Sequence, residues 1–315
     1  MVRVAIAGGS GGLGRVITQA IEATKRHEVF VLSRKSSQAG HIQALEIDYS
    51  SVDGIATTLR ENRIEVVLSA IGVIFEDAHI AQMNLIEGAE RSGTVKRFAP
   101  SDGFSKPVPS VIEYNSTGYR VKAMKKLQTT GMEHTRFIIG FLMDYYGFPA
   151  EPIPVTPLAV VLDMDKCRAA IPADGNAPVT FTHSETIAKF VVASLDLPSW
   201  PSKSWIVGDT ISWNEALAIA EDVRGRDFDV FYDSIEDLGQ AKITELPGNV
   251  ARYAVTPKPF LDGILSAWSL GFAEGWFNLP AQTGTDRTLN DICPTVEVLG
   301  FRAFLEKVWK RDSRI

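Results

Sequence analysis

The feature that most constrains this chain is a run of glycines between two apolar segments at its start. Residues 2–7 form an apolar run with β-branched side chains, which predicts a strand buried on both faces. Residues 8–14 read Gly-Gly-Ser-Gly-Gly-Leu-Gly, and residues 15–21 then repeat apolar side chains at helical spacing. Strand, glycine turn and helix in this order predict a dinucleotide-binding unit.

Three of these glycines have separate predicted roles. Gly8 allows a tight turn, Gly11 lets a pyrophosphate approach the backbone, and Gly14 lets the helix pack closely on the strand. The N-terminus of the helix offers free N–H groups and the positive end of its dipole to the phosphates. The predicted cofactor-binding residues of this turn are Gly8, Ser10, Gly11, Gly12, Leu13 and Gly14.

Composition excludes several classes of protein. The 315 residues carry a formal net charge of −6, which argues against nucleic acid as the main partner. No apolar stretch approaches the roughly 20 residues that cross a membrane, and no cationic leader with a cleavage site precedes the first strand. We therefore expect a cytoplasmic protein that does not associate with membranes. Cys167 and Cys293 lie far apart, and no metal-ligand pattern is evident.

Strands and helices alternate through residues 1–146. Further strands are predicted at 27–32, 44–47, 65–69, 96–100 and 135–139, and further helices at 55–62, 80–91 and 117–130. This alternation predicts a parallel, doubly wound sheet, which binds ligands at the carboxyl ends of its strands. The end of the second predicted strand lacks an acid and carries Arg34 and Lys35. These cations favour a 2′-phosphate over a free 2′-hydroxyl, and so NADP(H) over NAD(H).

Other predicted cofactor contacts lie after the later strands. Asp48 ends the third strand, where it either reaches the adenine amino group or caps the following helix. Small residues after the fourth strand let the nicotinamide half pass close to the backbone. The remaining predicted cofactor-binding residues are Ala70, Ile71, Gly72, Pro100, Ser101 and Lys122.

A nicotinamide enzyme also needs a proton donor beside the reacting atom. The candidates near the carboxyl edge are Ser101, Asp102, Tyr119, Lys122, Lys125 and Lys126. Tyr119 and Lys122 share a helix face, as do Lys122 and Lys126. His183 lies between a predicted strand and a predicted helix, where we expect a loop or capping position, with proton transfer as the alternative. No Gly-x-Ser-x-Gly elbow is present, which argues against a hydrolase.

The pattern of residues and predicted elements changes beyond residue 140. Residues 148–154 hold three prolines and predict a surface crossing or a loop that rims a pocket. Strands are predicted at 158–163, 167–171, 179–183, 204–207 and 228–232, and helices at 184–195 and from the cap Ser212 to 223. The aromatic residues at 268–277 indicate core packing or substrate contact.

Several motifs together carry a family resemblance. They are residues 4–14, Ser33-Arg34-Lys35, Ala81-Gln82-x-x-Leu85-Ile86, residues 95–102, Thr135, Gly140-Phe141-x-Met143-Asp144-Tyr145 and Phe181-Thr182-His183. On these motifs the chain resembles the NmrA-like, isoflavone-reductase-like branch of the atypical short-chain dehydrogenase/reductases. Those reductases commonly read Pro-Ser-Glu-Phe-Gly where this chain has Pro100-Ser101-Asp102-Gly103-Phe104.

The resemblance implies an NADPH-binding Rossmann domain, a catalytic lysine on the helix after the fifth strand, and a smaller interleaved α+β substrate domain. Lys122 matches the lysine by position, and Lys125 and Lys126 stay open because the stretch to Thr135 is about two residues shorter than the reductase pattern. We expect the Rossmann domain at 1–146, with 179–210 returning to it, and the substrate domain at 147–178 and 211–315.

The leading hypothesis is an NADPH-dependent reductase of a small, largely apolar molecule in specialised metabolism, with Lys122 and Tyr119 assisting proton transfer. The predicted substrate-binding residues are Asp102, Phe104, Phe141, Tyr145, Tyr146 and Trp268. Two alternatives are a non-catalytic NADP(H) sensor and an isomerase that uses the same pocket without net redox change. The expected partners are the substrate and a second copy in a homodimer.

Overall fold

The computed structural model describes residues 1–35, 42–102 and 116–310. In the first part of the chain, residues 1–135, strands and helices alternate in the predicted order. The strands are β1 Arg3–Ala7, β2 Glu28–Ser33, β3 Gln43–Glu46, β4 Val66–Ser69, β5 Arg97–Ala99 and β6 Glu133–His134, and the helices are α1 Gly12–Thr24, α2 Val52–Glu61, α3 Glu76–Ser92 and α4 Ser116–Leu127.

The second part of the chain mixes short strands with helices. The strands are β7 Arg136–Ile138, β8 Phe141–Leu142, β9 Leu162–Asp163, β10 Arg168–Pro172, β11 Pro178–Thr182, β12 Lys203–Trp205, β13 Asp209–Ser212 and β14 Asp229–Asp233, and the α-helices are α5 Ser184–Leu195, α6 Trp213–Arg224, α7 Ile235–Gly239, α8 Lys258–Ala273, α9 Pro280–Thr283, α10 Leu289–Ile292 and α11 Phe301–Trp309. Two 3-10 helices span Met143–Gly147 and Pro247–Ala254. The predicted strand at 158–163 is shorter than expected, because only Leu162–Asp163 pairs as a strand.

The main sheet has the order β3-β2-β1-β4-β5-β6, and each neighbouring pair is parallel. Parallel strands that follow one another in sequence need crossover helices, and these cover both faces of the sheet. The predicted α/β class with a doubly wound sheet is confirmed. The carboxyl ends of β1, β2, β4 and β5 therefore meet along one edge, where such sheets bind ligands.

Alternation along β1 divides the interior into two layers. Val4 and Ile6 pack with α1 and α5 on one face, whereas Ala5 and Ala7 pack with α2, α3 and α4 on the other. Successive side chains of a strand point to opposite faces, so a wholly apolar strand needs both layers. None of the described helices combines the length and the apolar character that crossing a membrane requires.

The sixth predicted strand, at 135–139, is wrong in extent. β6 ends at His134, just before the predicted range, and β7 leaves the main sheet and pairs in parallel with β12. Thr135 sits at the break, wholly buried, and its hydroxyl is 2.8 Å from that of Ser204 in β12. This side-chain hydrogen bond holds the chain where it changes from one sheet to the other.

The two parts of the chain interleave. Phe190 of α5 packs with α1 in the core of the first part, and Leu289 of α10 lies in the same core. In contrast, Val179 and Phe181 of β11 belong to the separate core of the second part. The domain division stays a prediction; this packing favours a return that begins at α5 rather than at residue 179 and that also includes α10.

We expect Gly88→Ala to weaken the contact between α3 and α2. A Cβ atom built at Gly88 would lie 2.3 Å from Cγ2 of Ile55, so one of the two helices must shift. Overpacking of this kind lowers the free energy of unfolding by about 1–3 kcal/mol, which urea denaturation measures. Gly131→Ala, with open space around its Cβ position, is the matched control and should change stability by no more than about 0.5 kcal/mol. Equal stability of the two variants would contradict this account of the packing.

Candidate functional site

An open groove of about 900 Å³ runs along the carboxyl edge of the main sheet. It is lined by Gly8, Ser10, Leu32, Ser33, Arg34, Lys35, Tyr49, Ala70, Ile71, Gly72, Asp77, Ala78 and Ala81. These residues end β2, come after β1, β2, β3 and β4, or lie in the first turns of α3. The groove therefore crosses several strand ends, which suits an elongated ligand such as a dinucleotide.

The glycine turn forms one wall of this groove by close backbone contact. Gly8 has φ +77°, and a Cβ atom there would lie 2.7 Å from the carbonyl oxygen of Ala70. A Cβ atom at Gly14 would lie 2.4 Å from the carbonyl oxygen of Gly8. Around Gly11, by contrast, no described atom lies within 4 Å of the Cβ position. The first and third glycines are needed for packing, while the second leaves space beside the backbone.

The N-terminus of α1 is suited to an anion. Gly11 is its N-cap and supplies no side-chain acceptor, and the first turn of this fully described helix contains no acidic residue. The free N–H groups and the positive end of the dipole therefore favour a phosphate as their partner. The proline-rich segment also approaches this turn, because a Cβ atom at Gly12 would lie 3.4 Å from the carbonyl oxygen of Pro154. This approach agrees with a loop that rims the pocket.

One end of the groove, beside the end of β2, is basic. Arg34 and Lys35 are both exposed and both line it. Tyr49 also lines this end of the groove, and its hydroxyl donates to the carbonyl oxygen of Leu32 at 3.4 Å. Burial raises the pKa of Tyr49, although the nearby charge of Arg34 acts in the opposite direction. The phenol therefore stays neutral, and the positive charge of this end comes from Arg34 and Lys35.

Asp48 does not cap the helix that comes after it. The N-cap of α2 is Ser51, whose Oγ accepts from the backbone N–H of Gly54. Asp48 is exposed, and its Oδ1 accepts from the backbone and side chain of Ser50, which lowers its pKa. The capping alternative is wrong, and the contact with adenine stays a prediction.

A buried glutamine joins the carboxyl ends of β4 and β5. Ala70, Ile71 and Gly72 line the groove directly after β4. Gln82 of α3 accepts from the hydroxyl of Ser69, the last residue of β4, and from the backbone N–H of Ser101, each at 2.9 Å.

Pro100 and Asp102, the neighbours of Ser101, are both buried. Pro100, like Ser101, is not one of the groove-lining residues, so its contact with the cofactor stays a prediction. The side chain of Asp102 is only 2% exposed, and its Oδ2 accepts from Nε of Arg136 in β7 at 2.5 Å. An acid that is buried and paired cannot readily turn to a substrate. We therefore assign Asp102 to the ion pair that ties the turn after β5 to β7.

The predicted catalytic residues of α4 lie beside α3. The ring of Tyr119 stacks on His79, with centroids 4.4 Å apart and planes at 12°. Lys122 is exposed, and its charge reinforces burial in lowering the pKa of His79, so this histidine is neutral at physiological pH. The structure thus places Tyr119 in contact with His79 and the charge of Lys122 near enough to act on the same imidazole. Neither is among the described residues that line the groove.

The two rival lysines differ in their surroundings. Lys126 is half-buried, and its ammonium is 3.9 Å from carboxylates of Glu87 and of Glu90. Lys125 is exposed one turn beyond Lys122. Because Lys126 faces the acids of α3, the geometry favours Lys122 as the lysine next to Tyr119.

Two of the predicted substrate contacts belong to the hydrophobic core instead. Phe141 is 3% exposed and packs edge-on against Phe272 and Phe277. Tyr146 is 1% exposed, and its hydroxyl donates to the carbonyl oxygen of Val160 at 3.2 Å. Both side chains are enclosed by protein, so we assign them to packing.

Two further predicted substrate contacts, Tyr145 and Trp268, are partly exposed. Tyr145 and Trp268 are half-buried, with ring centroids 6.3 Å apart, and both contact the ring of Phe141. They form the outer side of the aromatic cluster, where an apolar ligand can reach them. Phe104 lies outside the described residues.

His183 has the predicted capping role. It is the N-cap of α5, and its Nδ1 accepts from the backbone N–H of Glu185 at 3.2 Å. Its ring packs on Phe304, and it is buried. Among residues 1–35, 42–102 and 116–310, no cluster of three or more His, Cys, Asp or Glu side chains suits a metal ion.

Sequence reasoning missed several residues of the site. Tyr49 stands beside a predicted contact, and Ala78 and Ala81 are small residues at helical spacing that let a ligand pass close to α3. That spacing was a readable signal. Gln82 belongs to one of the motifs that carry the resemblance, but neither Gln82 nor His79 could be given a role from the sequence, because their partners are 13 or more positions away.

Comparison with known proteins agrees with this architecture. The model of the NmrA-like family matches residues 2–253. The oxidoreductase BOA1 of Botryotinia fuckeliana is 37% identical over 230 residues, which are 71% of this chain and 77% of that protein.

Two solved structures share the fold. The complex of leucoanthocyanidin reductase from Vitis vinifera with NADPH has a TM-score of 0.75 at 19% identity and covers 97% of this chain and 98% of its own. AtPrR2 with NADP+ and (+)-pinoresinol has a TM-score of 0.73 at 19% identity and covers 98% of both chains. At these identities the likeness shows the fold.

We expect Gly11→Ala to weaken dinucleotide binding without loss of stability. The added methyl meets no described atom within 4 Å, and the φ of −139° suits alanine, so the fold should be unchanged. It would occupy the space through which a pyrophosphate reaches the backbone, so affinity should fall by about tenfold or more, as titration with NADPH measures. Gly14→Ala is the contrasting variant and should lower stability as well. Unchanged affinity in Gly11→Ala would show that this turn does not hold the phosphates.

Proposed function

The chain belongs to the NmrA-like family, and we propose that it is an NADPH-dependent reductase of a small, largely apolar aromatic or terpenoid molecule in specialised metabolism. The observation that carries this proposal is the groove, which has a phosphate-accepting turn at its centre and a basic end. Relatives and structures of the same architecture support the reaction class, since their names include oxidoreductase, reductase and NADPH.

The residues of the groove fit NADPH. The space beside Gly11 and the helix N-terminus suit the pyrophosphate, and Arg34 and Lys35 suit the 2′-phosphate. The order of strands β2, β1 and β4 favours a position of the nicotinamide end beyond Ala70 and Gly72. When bound, NADPH would supply a hydride from its nicotinamide ring.

The second part of the chain supplies an apolar side to this end of the site. Phe260 of α8 lies near Phe75, which comes after the groove-lining loop that leaves β4, with ring centroids 6.4 Å apart. Tyr145 and Trp268 present accessible aromatic surface in the same part of the chain. An apolar wall with few polar groups is typical of sites for flat organic molecules. The (+)-pinoresinol in the structure of AtPrR2 is an example of such a molecule bound in this fold.

Lys122 and Tyr119 supply the polar groups that reduction requires. Addition of a hydride to carbon leaves negative charge on an oxygen, which a nearby cation stabilises and a proton neutralises. The exposed ammonium of Lys122 can donate that proton directly or through water and recover it from solvent. The stacked imidazole of His79 holds the ring of Tyr119, and because it is neutral it adds no repulsion to the ammonium.

We expect Arg34→Ala to change cofactor selectivity. Loss of the guanidinium removes charge-assisted hydrogen bonds to the 2′-phosphate, so the Kd for NADPH should rise by about tenfold or more. The Kd for NADH, which lacks that phosphate, should change by less than about twofold. Fluorescence titration with both nucleotides measures the effect, and Arg226→Ala, an exposed arginine of the second part, is the control. Equal losses for the two nucleotides would remove Arg34 from the phosphate site.

We expect Lys122→Ala to reduce turnover while NADPH still binds. General acid catalysis by one side chain contributes about a hundredfold or more, so kcat should fall by that factor. Oxidation of NADPH can be followed with aromatic and terpenoid enones, ketones and benzylic ethers, including (+)-pinoresinol. Lys125→Ala, one turn away, is the matched variant and should keep full activity. The reverse result would give the role to Lys125, and a wild-type protein that binds NADPH without turning over any substrate would favour the sensor.

A further inference from the structure

Gln82 occupies an unusual position in α3. Its side chain is wholly buried, at 0% exposed, in the core beneath the carboxyl edge of the sheet. Its Oε1 accepts two hydrogen bonds, from Oγ of Ser69 and from the backbone N–H of Ser101, both at 2.9 Å. A backbone N–H can only donate, so the atom that faces Ser101 must be the oxygen of the amide.

The amide nitrogen of Gln82 is buried without a hydrogen-bond partner among the residues that the structure describes. An unpaired buried donor costs free energy, and a methionine of similar size would avoid that cost. A glutamine is useful here only if its oxygen has a task that offsets the unpaired nitrogen. That task is visible in the structure, since the oxygen holds two different strand ends.

The two strand ends flank the part of the groove farthest from Arg34. Ser69 ends β4 and directly precedes Ala70, Ile71 and Gly72, which line the groove. Ser101 comes after β5, the next strand of the sheet on the side away from β1. A dinucleotide whose 2′-phosphate lies at the end of β2 and whose pyrophosphate lies at β1 extends its other half toward β4 and β5.

The bond to Ser101 also restrains the turn after β5. The next residue, Asp102, is paired with Arg136 in β7, so this turn is held at two successive positions. Gln82 fixes the first position, and the ion pair fixes the second. Loss of the glutamine oxygen would release the turn from β4 and leave the backbone N–H of Ser101 without this acceptor.

We propose that Gln82 is a positioning residue for the nicotinamide half of the cofactor: its single oxygen holds the loop after β4, which lines the groove, and the turn after β5 in one arrangement, and these two segments would flank the ring once the cofactor is bound. The inference rests on the proposed function, since it requires NADPH in the groove. Gln82 does not contact the cofactor itself, because its amide is enclosed by protein.

The test compares two ligands that share the adenosine end. NADPH contains the nicotinamide half, whereas adenosine 2′,5′-bisphosphate keeps the 2′-phosphate and lacks that half. Gln82→Met removes the oxygen and keeps the volume, so the Kd for NADPH should rise by about tenfold. The Kd for adenosine 2′,5′-bisphosphate should stay within about twofold of the wild-type value, because the end of β2 and the glycine turn do not depend on Gln82.

Three further variants separate positioning from general stability. Gln82→Glu keeps an oxygen at the same reach and should restore most of the affinity for NADPH. Ser69→Ala removes one of the two donors and should give a smaller loss in the same direction, which keeps the proposal testable if Gln82→Met does not fold. Gln19→Met, at an exposed glutamine of α1, is the matched control and should bind both ligands as the wild-type protein does.

Each outcome decides between the possibilities. Selective loss of NADPH affinity with rescue by Gln82→Glu supports the positioning role. Equal loss for both ligands overturns it, because this result indicates a general structural defect. No loss for either ligand also overturns it, because the loop after β4 and the turn after β5 then do not need the hydrogen bonds of Gln82. Failure of the wild-type protein to bind either ligand would instead overturn the proposed function.

Discussion

The structure depends on direct packing of backbone against backbone at the glycine turn. Gly8 and Gly14 bring the first strand, the first helix and the loop after the fourth strand so close that a Cβ atom would collide with a carbonyl oxygen. This contact brings the N-terminus of α1 to the gap between β1 and β4. The position of the groove and the direction of the helix dipole both result from it.

Charge is distributed unevenly over this architecture. The whole chain is acidic, with a formal net charge of −6, yet Arg34 and Lys35 stand at one end of the groove and no acid stands in the first turn of α1. An anionic ligand therefore meets local positive potential in spite of the net charge of the protein. These local groups suit the proposed binding of a phosphorylated nucleotide.

The second part of the chain approaches the surroundings of the groove at two points. Pro154 approaches the glycine turn, and Phe260 approaches the loop after β4, so segments distant in sequence lie near both walls. Because α5 and α10 pack in the core of the first part, the two parts share buried surface. Such shared packing restrains their relative position and keeps the aromatic surface of Tyr145 and Trp268 in a fixed relation to the sheet.

Local patterns in the sequence determined the first five strands of the main sheet and the glycine turn. Apolar periodicity and the Gly8, Gly11 and Gly14 spacing report on backbone conformation over a few residues, and the structure agrees with them. Only the tertiary structure decided the partners of side chains. Asp102 pairs with Arg136, and Tyr146 with Val160, across 34 and 14 positions. No local period encodes such contacts, because they arise from how separate elements pack.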